Sequence, residues 1–413
     1  MKKVTLLLVM FALTVNIAMA QSGEVQNAFT FNRQAQGSIE LAENHKNSNR
    51  IEKANKEMKN ARLLIQRAKT SIDNAVQHEK TMNDAKTWHY YGITYYKIAA
   101  YPEFNDLDPQ ALDKALEAFR KITEIDLEYC AENSGDIYQH IDGIAINYFN
   151  QGGQANDAGD YNKAVDCYRK AYDTKLIIGQ QDNDALYNAA QVAFYNAKDY
   201  NVAIELCDML INNSYENPNV YVFMAVAQGE LNNNDKMLEY LQIGREKYPD
   251  NKELIDNHIN AYIKLNREEE IIDQIKDMAK LYNEQVDYKY LLGNLYSNIE
   301  SQIYSVDSAV NYYNQVIDID PNHVDSYYNM GIMYYNIASE LSKQAGELGF
   351  DDESLKKYDQ MVAEAKQYNE KALPFIEKAY ELLPSDNIIK QALKSVYARL
   401  KMTDKANALD SAQ

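Results

Sequence analysis

The feature of this sequence that most constrains its fold is an internal repetition. The stretches "WHYYGITYYK" at 88–97 and "SYYNMGIMYYN" at 326–336 share a bulky aromatic residue, a tyrosine, a glycine and a Tyr-Tyr pair. In the second stretch, Tyr327, Met330, Gly331 and Tyr334 lie at the spacing of one face of an α-helix. A glycine inside a helix costs up to about 1 kcal/mol relative to alanine. We therefore expect another backbone to approach this face closely at Gly331, in a fold of stacked, repeated helices.

A second helix follows the first one. The stretch "NEKALPFIEKAYELLPSDN" places Ala372, Ile376 and Ala379 on one helical face, and Pro384 ends the helix because proline lacks the backbone N–H. This pattern resembles the tetratricopeptide repeat, a unit of about 34 residues. In that repeat the first helix carries large, small and aromatic residues on one face, the second helix carries small residues, and a proline closes the unit.

Seven copies of this pattern follow one another in register, and the seventh is the copy that contains Tyr327 and Gly331. The other six, each given as first helix and then second helix, are Trp88, Tyr91, Gly92, Tyr95 with Ala115, Phe119, Ile122; Ile141, Ile144, Ala145, Tyr148 with Ala164, Tyr168, Ala171; Tyr187, Ala190, Gln191, Phe194 with Ala203, Cys207, Leu210; Tyr221, Met224, Ala225, Gln228 with Met237, Leu241, Gly244; Ile255, His258, Ile259, Tyr262 with Ile271, Ile275, Met278; and Leu292, Gly293, Tyr296 with Ala309, Tyr313, Val316.

The resemblance implies an all-α fold, a right-handed α-solenoid of about seven to eight helix pairs with a C-terminal capping helix. Upstream, Ala68, Ile72 and Ala75 have the spacing of a second helix, which predicts a divergent N-terminal pair. The expected organisation is a signal peptide over 1–20, the divergent pair over 21–83, the repeat array over 84–384, and a C-terminal capping helix and tail over 385–413. End repeats of a solenoid need such caps because no neighbour covers them.

The seventh copy carries an insert of about 30 residues, at 338–368, between its two helices. Both halves of the insert are rich in helix-forming residues, and Gly349 lies between them. We expect an antiparallel hairpin that projects roughly 20 Å from the array. Whether the hairpin is an interaction edge or a tolerated decoration stays open at this point.

The N-terminus has the pattern of a secretory signal peptide. Two lysines precede an apolar run over 4–18, and Ala18-Met19-Ala20 fits a signal-peptidase site. The run is about 15 residues, short of the ~20 that span a bilayer, so we expect cleavage and no direct membrane insertion. No cysteine follows the site to carry a lipid anchor. The expected location is periplasmic, with cell-surface or outer-membrane association as the alternative.

Charge and cysteine content exclude several classes of protein. The formal net charge is −19, and loss of the two leader lysines would make it −21, which disfavours nucleic-acid binding because that requires a basic face. Three cysteines, Cys130, Cys167 and Cys207, are too few for a disulfide framework. We interpret them as buried apolar residues, with a Cys130–Cys167 bridge as the alternative.

The sequence contains no complete catalytic or cofactor-binding motif of the common types. "HEKTM" at 78–82 has Met82 where a zinc-peptidase helix needs a second histidine, and "DLDPQALDKALE" from Asp106 has Ala111 where a calcium loop needs glycine. Phosphate-binding and nucleophile-elbow motifs do not occur. We therefore expect neither an enzyme nor a bound metal or cofactor.

The most promising recognition surface is a second stripe on each first helix, at positions five, nine, twelve and thirteen of the repeat. The resemblance implies that this stripe faces a concave groove. Asparagine can pair with an extended peptide backbone and tyrosine offers rigid contact area, although asparagine also suits a helix end. The predicted groove residues are Phe149, Asn150, Asn188, Tyr195, Asn196, Tyr290, Asn294, Asn298, Tyr328, Tyr335 and Asn336.

These observations predict a non-enzymatic scaffold of the bacterial cell envelope that binds a protein or peptide partner. The leader, "AKTWHYYG" and the long insert before "KALPFIEKAYELLP" also resemble exported tetratricopeptide proteins of Bacteroidetes-type bacteria. The alternative function is glycan binding at the outer membrane or in the periplasm. The partner, the oligomeric state and the choice among groove, convex face and hairpin are left open by the sequence.

Overall fold

The computed structural model describes the backbone of residues 2–411 and the side chains of residues 23–409. Over this range the secondary structure is helical, and no strand occurs. The predicted leader at 1–20 lies outside the residues whose side chains are described. Among the described residues, no helix is both long enough and apolar enough to cross a bilayer.

Nineteen α-helices follow one another along the described chain. They are α1 (Lys2–Asn47), α2 (Ile51–Ala75), α3 (Ala85–Ala100), α4 (Ala111–Ile125), α5 (Leu127–Glu132), α6 (Ser134–Asp157), α7 (Tyr161–Leu176), α8 (Asn183–Gln191), α9 (Tyr200–Asn212), α10 (Asn219–Glu230), α11 (Asn234–Lys247), α12 (Lys252–Lys264), α13 (Ile272–Leu281), α14 (Asp287–Ser297), α15 (Val306–Ile319), α16 (Val324–Gly346), α17 (Asp352–Leu382), α18 (Asn387–Arg399) and α19 (Thr403–Ser411).

The chain divides into two compact units, one ending at Gly244 and one beginning at Arg245. In the first unit, consecutive helices pack as pairs: α1 on α2, α3 on α4, α6 on α7, and α8 on α9. One apolar core runs through these pairs, from Val25 in α1 to Met224 in α10. Stacked helix pairs with a continuous core are the architecture of an α-solenoid.

The second unit follows the same scheme. Helices α14 and α15 pack together, as do α16 and α17, and α18 covers α17. Ile376 and Ala379 of α17 are buried in a core shared with Leu393 and Val396 of α18. The final pair therefore has the apolar cover that an end repeat requires.

The glycines of the repeat lie where two helices of a pair approach most closely. A methyl group built on Gly92 would lie 2.8 Å from Cε2 of Phe119 in α4, and one built on Gly293 would lie 2.7 Å from Cδ1 of Tyr313 in α15. At Gly331 the methyl group would meet Ile376 and would lie 3.3 Å from the carbonyl oxygen of Ala372. The expected close approach of a backbone thus occurs at Gly331, whereas aromatic rings fill the space at the other two glycines.

The insert of the seventh copy is helical on both sides of a short turn. Helix α16 ends at Gly346, α17 begins at Asp352, and Gly349 lies in the turn between them. Asp351 starts α17 as its N-cap, accepting hydrogen bonds from the backbone N–H groups of Glu353 and Ser354. The two helices pack on each other as an antiparallel hairpin.

The helix predicted after Pro384 is present as α18, and a second short helix, α19, follows it in the range expected for the helix and its tail. Lys401, between them, has a φ of 59°. A left-handed residue of this kind ends an α-helix and redirects the chain. The three described cysteines are buried and unbridged, so the alternative Cys130–Cys167 bridge does not form.

The carboxylates of the rejected calcium loop are engaged elsewhere. Arg62 of α2 pairs with Asp106, Nη1 to Oδ1 at 2.6 Å, and Lys114 pairs with Asp108 at 2.6 Å. These ion pairs tie the long loop between α3 and α4 to the neighbouring helices.

Candidate functional site

Two of the groove residues predicted in the first unit pack within the repeats. The ring of Phe149 lies against Tyr168 of α7, with centroids 5.1 Å apart. Asn188 donates a hydrogen bond from Nδ2 to the carbonyl oxygen of Asp184 in its own helix, at 2.7 Å. Both side chains are half-buried, so they contribute to the packing of α6 and α8.

The other three predicted residues of this unit are exposed. Tyr195 is 53% exposed and its ring meets that of Phe223, with centroids 5.3 Å apart. Asn196 donates from Nδ2 to Oδ1 of Asn156 in the preceding first helix, at 2.7 Å. Asn150 is exposed on α6. These residues are accessible to a partner.

In the second unit, two predicted groove residues belong to an internal hydrogen-bond network. Oδ1 of Asn294 accepts from the hydroxyl of Tyr313, at 2.8 Å, and from Nδ2 of Asn329, at 2.9 Å. The same Nδ2 also lies 2.9 Å from the hydroxyl of Tyr290. The network joins α14, α15 and α16. Most of the hydrogen-bonding groups of these side chains are therefore already paired within the protein.

The remaining four predicted residues have different surroundings. Asn298 ends α14 as its C-cap and accepts from the N–H of Glu300 at 3.1 Å, in agreement with the helix-end alternative. The guanidinium carbon of Arg399 in α18 lies 4.9 Å from the ring centre of Tyr335. Tyr328 is half-buried and Asn336 is exposed.

A concave feature of the first unit combines charged and aromatic side chains. We call it the first-repeat cleft, with a volume of about 780 Å³. Its lining residues are Phe29, Asn32, Arg33, Gln36, Gly37 and Glu40 of α1, His89, Tyr90, Ile93, Tyr96 and Lys97 of α3, Tyr101, Tyr129 and Asn133, and Asp136, Gln139 and His140 of α6.

The helical repeat explains why these residues meet. The α1 residues recur every three or four positions, which places them on one face. In α3, positions five, nine, twelve and thirteen of the repeat are His89, Ile93, Tyr96 and Lys97, and all four line the cleft. The repeat positions predicted to face the groove therefore line the cleft in α3. The sequence prediction did not include these four residues, because it selected asparagine and aromatic residues at those positions in later copies.

One wall of the cleft is organised around Asp136. Its Oδ2 lies 2.7 Å from Nε2 of His89, whose other nitrogen, Nδ1, lies 2.9 Å from the hydroxyl of Tyr129. The hydrogen bond from His89 is the main reason why the pKa of Asp136 is lowered. His89 is only 4% exposed, so this arrangement holds α3, α5 and α6 together at the edge of the cleft.

The second wall is aromatic. Tyr96 lies over Gly143 of α6, where a methyl group would be 2.7 Å from Cζ of the tyrosine, and its ring meets His140 edge-on at 5.3 Å. His140 donates from Nδ1 to the carbonyl oxygen of Asp136 at 2.8 Å. Burial lowers the pKa of His140, because desolvation disfavours the imidazolium. The wall is therefore uncharged near neutral pH.

The floor of the cleft contains a buried lysine. Lys97 is 9% exposed, and its Nζ donates to the backbone carbonyl oxygen of Asn32 at 3.1 Å. Burial lowers the pKa of this ammonium to about 8. Asn32 is 4% exposed and donates from Nδ2 to Thr94 at 2.7 Å, while its buried Oδ1 has no hydrogen-bond partner in the described protein.

The cleft has the size and the lining of a binding site. In the described part of the chain, no group of three or more histidine, cysteine, aspartate or glutamate side chains could hold a metal ion. The cleft instead combines aromatic rings with a few polar groups, and its volume falls within the range of ~300–1,000 Å³ typical of ligand sites.

Comparisons with known proteins give structural matches only. No protein-family model and no curated protein matches this sequence. A solved tetratricopeptide-repeat protein, BF2334 from Bacteroides fragilis NCTC 9343, is 23% identical, covering 62% of this chain and 98% of its own, with a TM-score of 0.30.

Two further solved structures are similar. YrrB, described as a TPR protein with an unusual peptide-binding site, is 19% identical over 68% of this chain and 98% of its own, with a TM-score of 0.26. The TPR domain of P58(IPK) is 14% identical over 90% of this chain and 99% of its own, with a TM-score of 0.29. This chain is similar to these tetratricopeptide-repeat proteins in its succession of helix pairs.

Proposed function

We propose that this protein is a non-enzymatic scaffold that binds an extended peptide segment of a partner protein in the first-repeat cleft. The observation that carries the proposal is the cleft itself, about 780 Å³ in volume and lined by side chains of α1, α3 and α6. Three successive first helices offer tyrosine rings, amides and charged groups to one ligand, in the way an α-solenoid presents a concave surface.

The chemistry of the walls suits a peptide. Phe29 and Tyr90 pack together with ring centroids 5.2 Å apart, and Tyr96 lies opposite against α6. Aromatic rings provide contact area at little entropic cost. Gln36 and Gln139, which also line the cleft, carry amides that can donate to and accept from a peptide backbone.

We further propose that the partner is met in the cell envelope, with the periplasm as the location. The support for this is the pattern of the leader, with Lys2 and Lys3 before the apolar run and the small residues Ala18 and Ala20 at the predicted cleavage site. N-terminal sequencing of the protein purified from its source cells is the direct test. Gln21 as the first residue is expected, and an uncleaved Met1 would contradict the proposal.

A blocked cleft tests the binding site. Gly37 lines the cleft, and a Cβ built on it meets no atom within 4 Å. Gly37→Trp should therefore fill the cleft without disturbing α1, and Gly37→Ala is the matched control. Gly346, at the end of α16, is equally open, so Gly346→Trp controls for an added surface tryptophan.

The binding assay uses a bead-displayed library of random nonapeptides together with a glycan array. We expect peptides that bind the protein and both control variants but are lost with Gly37→Trp. A different result would place the site in the groove predicted from sequence. In that case the peptides would still bind Gly37→Trp but would not bind a variant with alanine at Tyr195, Asn196, Tyr335 and Asn336. Binding to glycans and to no peptide would refute the proposal in favour of the glycan alternative.

A further inference from the structure

Building on the proposed function, we infer that the first-repeat cleft selects peptides with an acidic side chain, whose carboxylate pairs with the ammonium of Lys97. The Arg33 guanidinium at the rim of the cleft is the second cationic contact. The subsite therefore recognises aspartate or glutamate within an extended segment rather than a neutral or basic one.

The surroundings of Lys97 carry this inference. Its side chain is 9% exposed, and Nζ has one hydrogen bond, to the carbonyl oxygen of Asn32 at 3.1 Å. Among the described residues, none of the ion pairs found within 4.0 Å involves this lysine. A buried ammonium without a carboxylate in direct contact is unfavourable in the free protein, and the more distant charges of Asp136 and Glu40 offset only part of the effect of burial on its pKa. A ligand carboxylate would remove that cost, and a charge-assisted hydrogen bond is among the strongest that a protein makes.

A comparison within the same chain shows what a purely structural buried lysine looks like. Lys289 in α14 is 3% exposed, and its Nζ donates to two backbone carbonyl oxygens, of Ala279 at 3.1 Å and of Asn283 at 2.6 Å. Those bonds join α14 to helix α13 and to the loop between α13 and α14. Lys97 has only one such bond and faces a cleft, so packing alone does not account for its position.

The other charged groups of the cleft are already engaged or lie at its rim. Asp136 accepts from His89 at 2.7 Å, and Glu40 accepts from Gln36 at 3.1 Å. Arg33 is exposed, and no ion pair of its guanidinium is found among the described residues. Each of these carboxylates thus has a hydrogen-bond donor within the protein, whereas Lys97 and Arg33 line the same cleft without an ion pair among the described residues, which favours an anionic group on the ligand.

A side-chain carboxylate within a segment fits the cleft better than an isolated small anion. The cleft extends over three helices and has a volume of about 780 Å³, enough for several residues of a peptide. Gln36 and Gln139 line the same cleft, and their amides can pair with the N–H and C=O groups of a peptide backbone, which a free carboxylate lacks.

The first test is a specificity profile. The library of random nonapeptides is acetylated at the N-terminus and amidated at the C-terminus, so that side chains supply the only carboxylates. We expect the binding peptides to be enriched in aspartate or glutamate at one position. Lys97→Met should weaken the binding of the selected peptides roughly 10- to 100-fold. Lys97→Arg should retain most of the affinity for these peptides, and Lys289→Met should leave the affinity unchanged.

Proton linkage gives a second and independent readout. The pKa of Lys97 is about 8 in the free protein, and a paired carboxylate would raise it. Peptide binding should then take up protons near pH 8. The affinity should be full below that pH and should fall as the pH rises through the pKa that Lys97 has in the complex. Lys97→Arg should abolish the fall, since arginine does not titrate in this range.

The other groups that face the cleft do not produce the same profile. Burial lowers the pKa of His140 and raises the pKa values of Tyr90, Tyr96, Tyr101 and Tyr129. The hydrogen bond with His89 lowers the pKa of Asp136. His140 is therefore neutral, these four tyrosines are protonated and the Asp136 carboxylate is ionised throughout the interval from pH 7 to pH 9.

Stability separates a binding role from a structural one. If Lys97 serves a ligand, Lys97→Met should unfold at the same or a higher urea concentration than the native protein, because an unpaired buried charge has been removed. Lys289→Met should unfold at a lower one. A Lys97→Met variant that loses both stability and affinity would overturn the inference.

The two proposals fail in different ways. If peptides bind and are lost with Gly37→Trp, but show no acidic preference and no response to Lys97→Met, the cleft is a peptide site and the carboxylate subsite is refuted. If the preference appears only in a parallel library with free C-terminal carboxylates, the anion is a chain terminus and the side-chain assignment is refuted. If succinate competes as well as the acidic peptides do, a free small carboxylate replaces the peptide as the ligand.

Discussion

At the scale of single residues, three of the repeats contain a glycine of the first helix that faces a large side chain of the second helix. Gly92 faces Phe119, Gly293 faces Tyr313, and Gly331 faces Ile376. All three partners are fully buried. The glycine leaves room for the large side chain of the second helix, and the apolar surface buried there offsets the cost of glycine inside a helix.

The first prediction concerns this contact. Gly92→Ala should destabilise the protein by about 1–3 kcal/mol, because the new methyl group would lie 2.8 Å from Phe119, whose ring is buried. The free energy of unfolding from urea denaturation is the measurement. Gly37→Ala is the control: a Cβ there meets no atom within 4 Å, so a gain of about 0.5–1 kcal/mol is expected. Equal effects at both glycines would contradict the packing argument.

The binding residues were harder to predict than the packing residues. The spacing of Trp88, Tyr91, Gly92 and Tyr95 identifies the core face of α3, and the next positions of the same helix, such as Lys97, line the cleft. Nothing in the sequence near Lys97 indicates that it is buried, because its burial depends on α1, which lies about sixty residues earlier in the chain. A search that favours asparagine and tyrosine passes over such a lysine.

At the scale of helices, the amide network of the second unit explains why several predicted groove residues are half-buried. Asn294 of α14, Tyr313 of α15 and Asn329 of α16 share hydrogen bonds of 2.8 and 2.9 Å. The bond between Asn294 and Tyr313 joins the two helices of one repeat, and the bond between Asn294 and Asn329 joins that repeat to the next one. Hydrogen bonds that join helices specify their register, because a shift would leave buried polar groups without partners.

The second prediction tests this network with a double-mutant cycle. Asn294→Ala and Asn329→Ala should each lower the free energy of unfolding by about 1 kcal/mol or more. The double variant should show a coupling energy of about 0.5–3 kcal/mol, since the two side chains are in direct contact. Asn336→Ala, at an exposed site of α16, should change stability by less than about 0.5 kcal/mol. Strictly additive effects of the two substitutions would show that the contact contributes little.

The hairpin and the C-terminus show how far helix prediction reaches. The helix-forming residues on both sides of Gly349 predict α16 and α17, which the structure contains. The stretch after Pro384 reads equally well as one helix, yet it is divided at Lys401. The division lets Leu409 of α19 pack in the core of the last repeat with Leu393 and Val396, and that gain depends on a neighbouring surface rather than on local propensity.

At the scale of the whole molecule, the chain is an array in which helix pairs contact mainly their neighbours in sequence. Stability in such an array is approximately a sum of repeat and nearest-neighbour terms. A local defect should therefore open nearby repeats and spare distant ones.

The third prediction follows from this property. Phe119→Ala removes a fully buried ring from the core of the first unit and should cost about 3–5 kcal/mol locally. Hydrogen–deuterium exchange should show faster exchange in α3, α4 and α6. Protection of α17 and α18 should stay at the native level, and Ile376→Ala should produce the reverse pattern. Loss of protection throughout the chain with either variant would refute nearest-neighbour behaviour.

The sequence by itself determined the helical class, the pairing of helices and the core face of most repeats, because spacings of three, four and seven residues depend only on the geometry of one helix. Only the tertiary structure decided which polar residues are accessible and which are consumed in packing. Asn294 and Asn298 carry the same side chain, yet one joins three helices and the other ends one. Lys97 and Asn32 form the floor of a cleft because α1 packs against α3. Burial, unfilled hydrogen bonds and shifted pKa values arise between helices, and a pattern within one helix does not contain them.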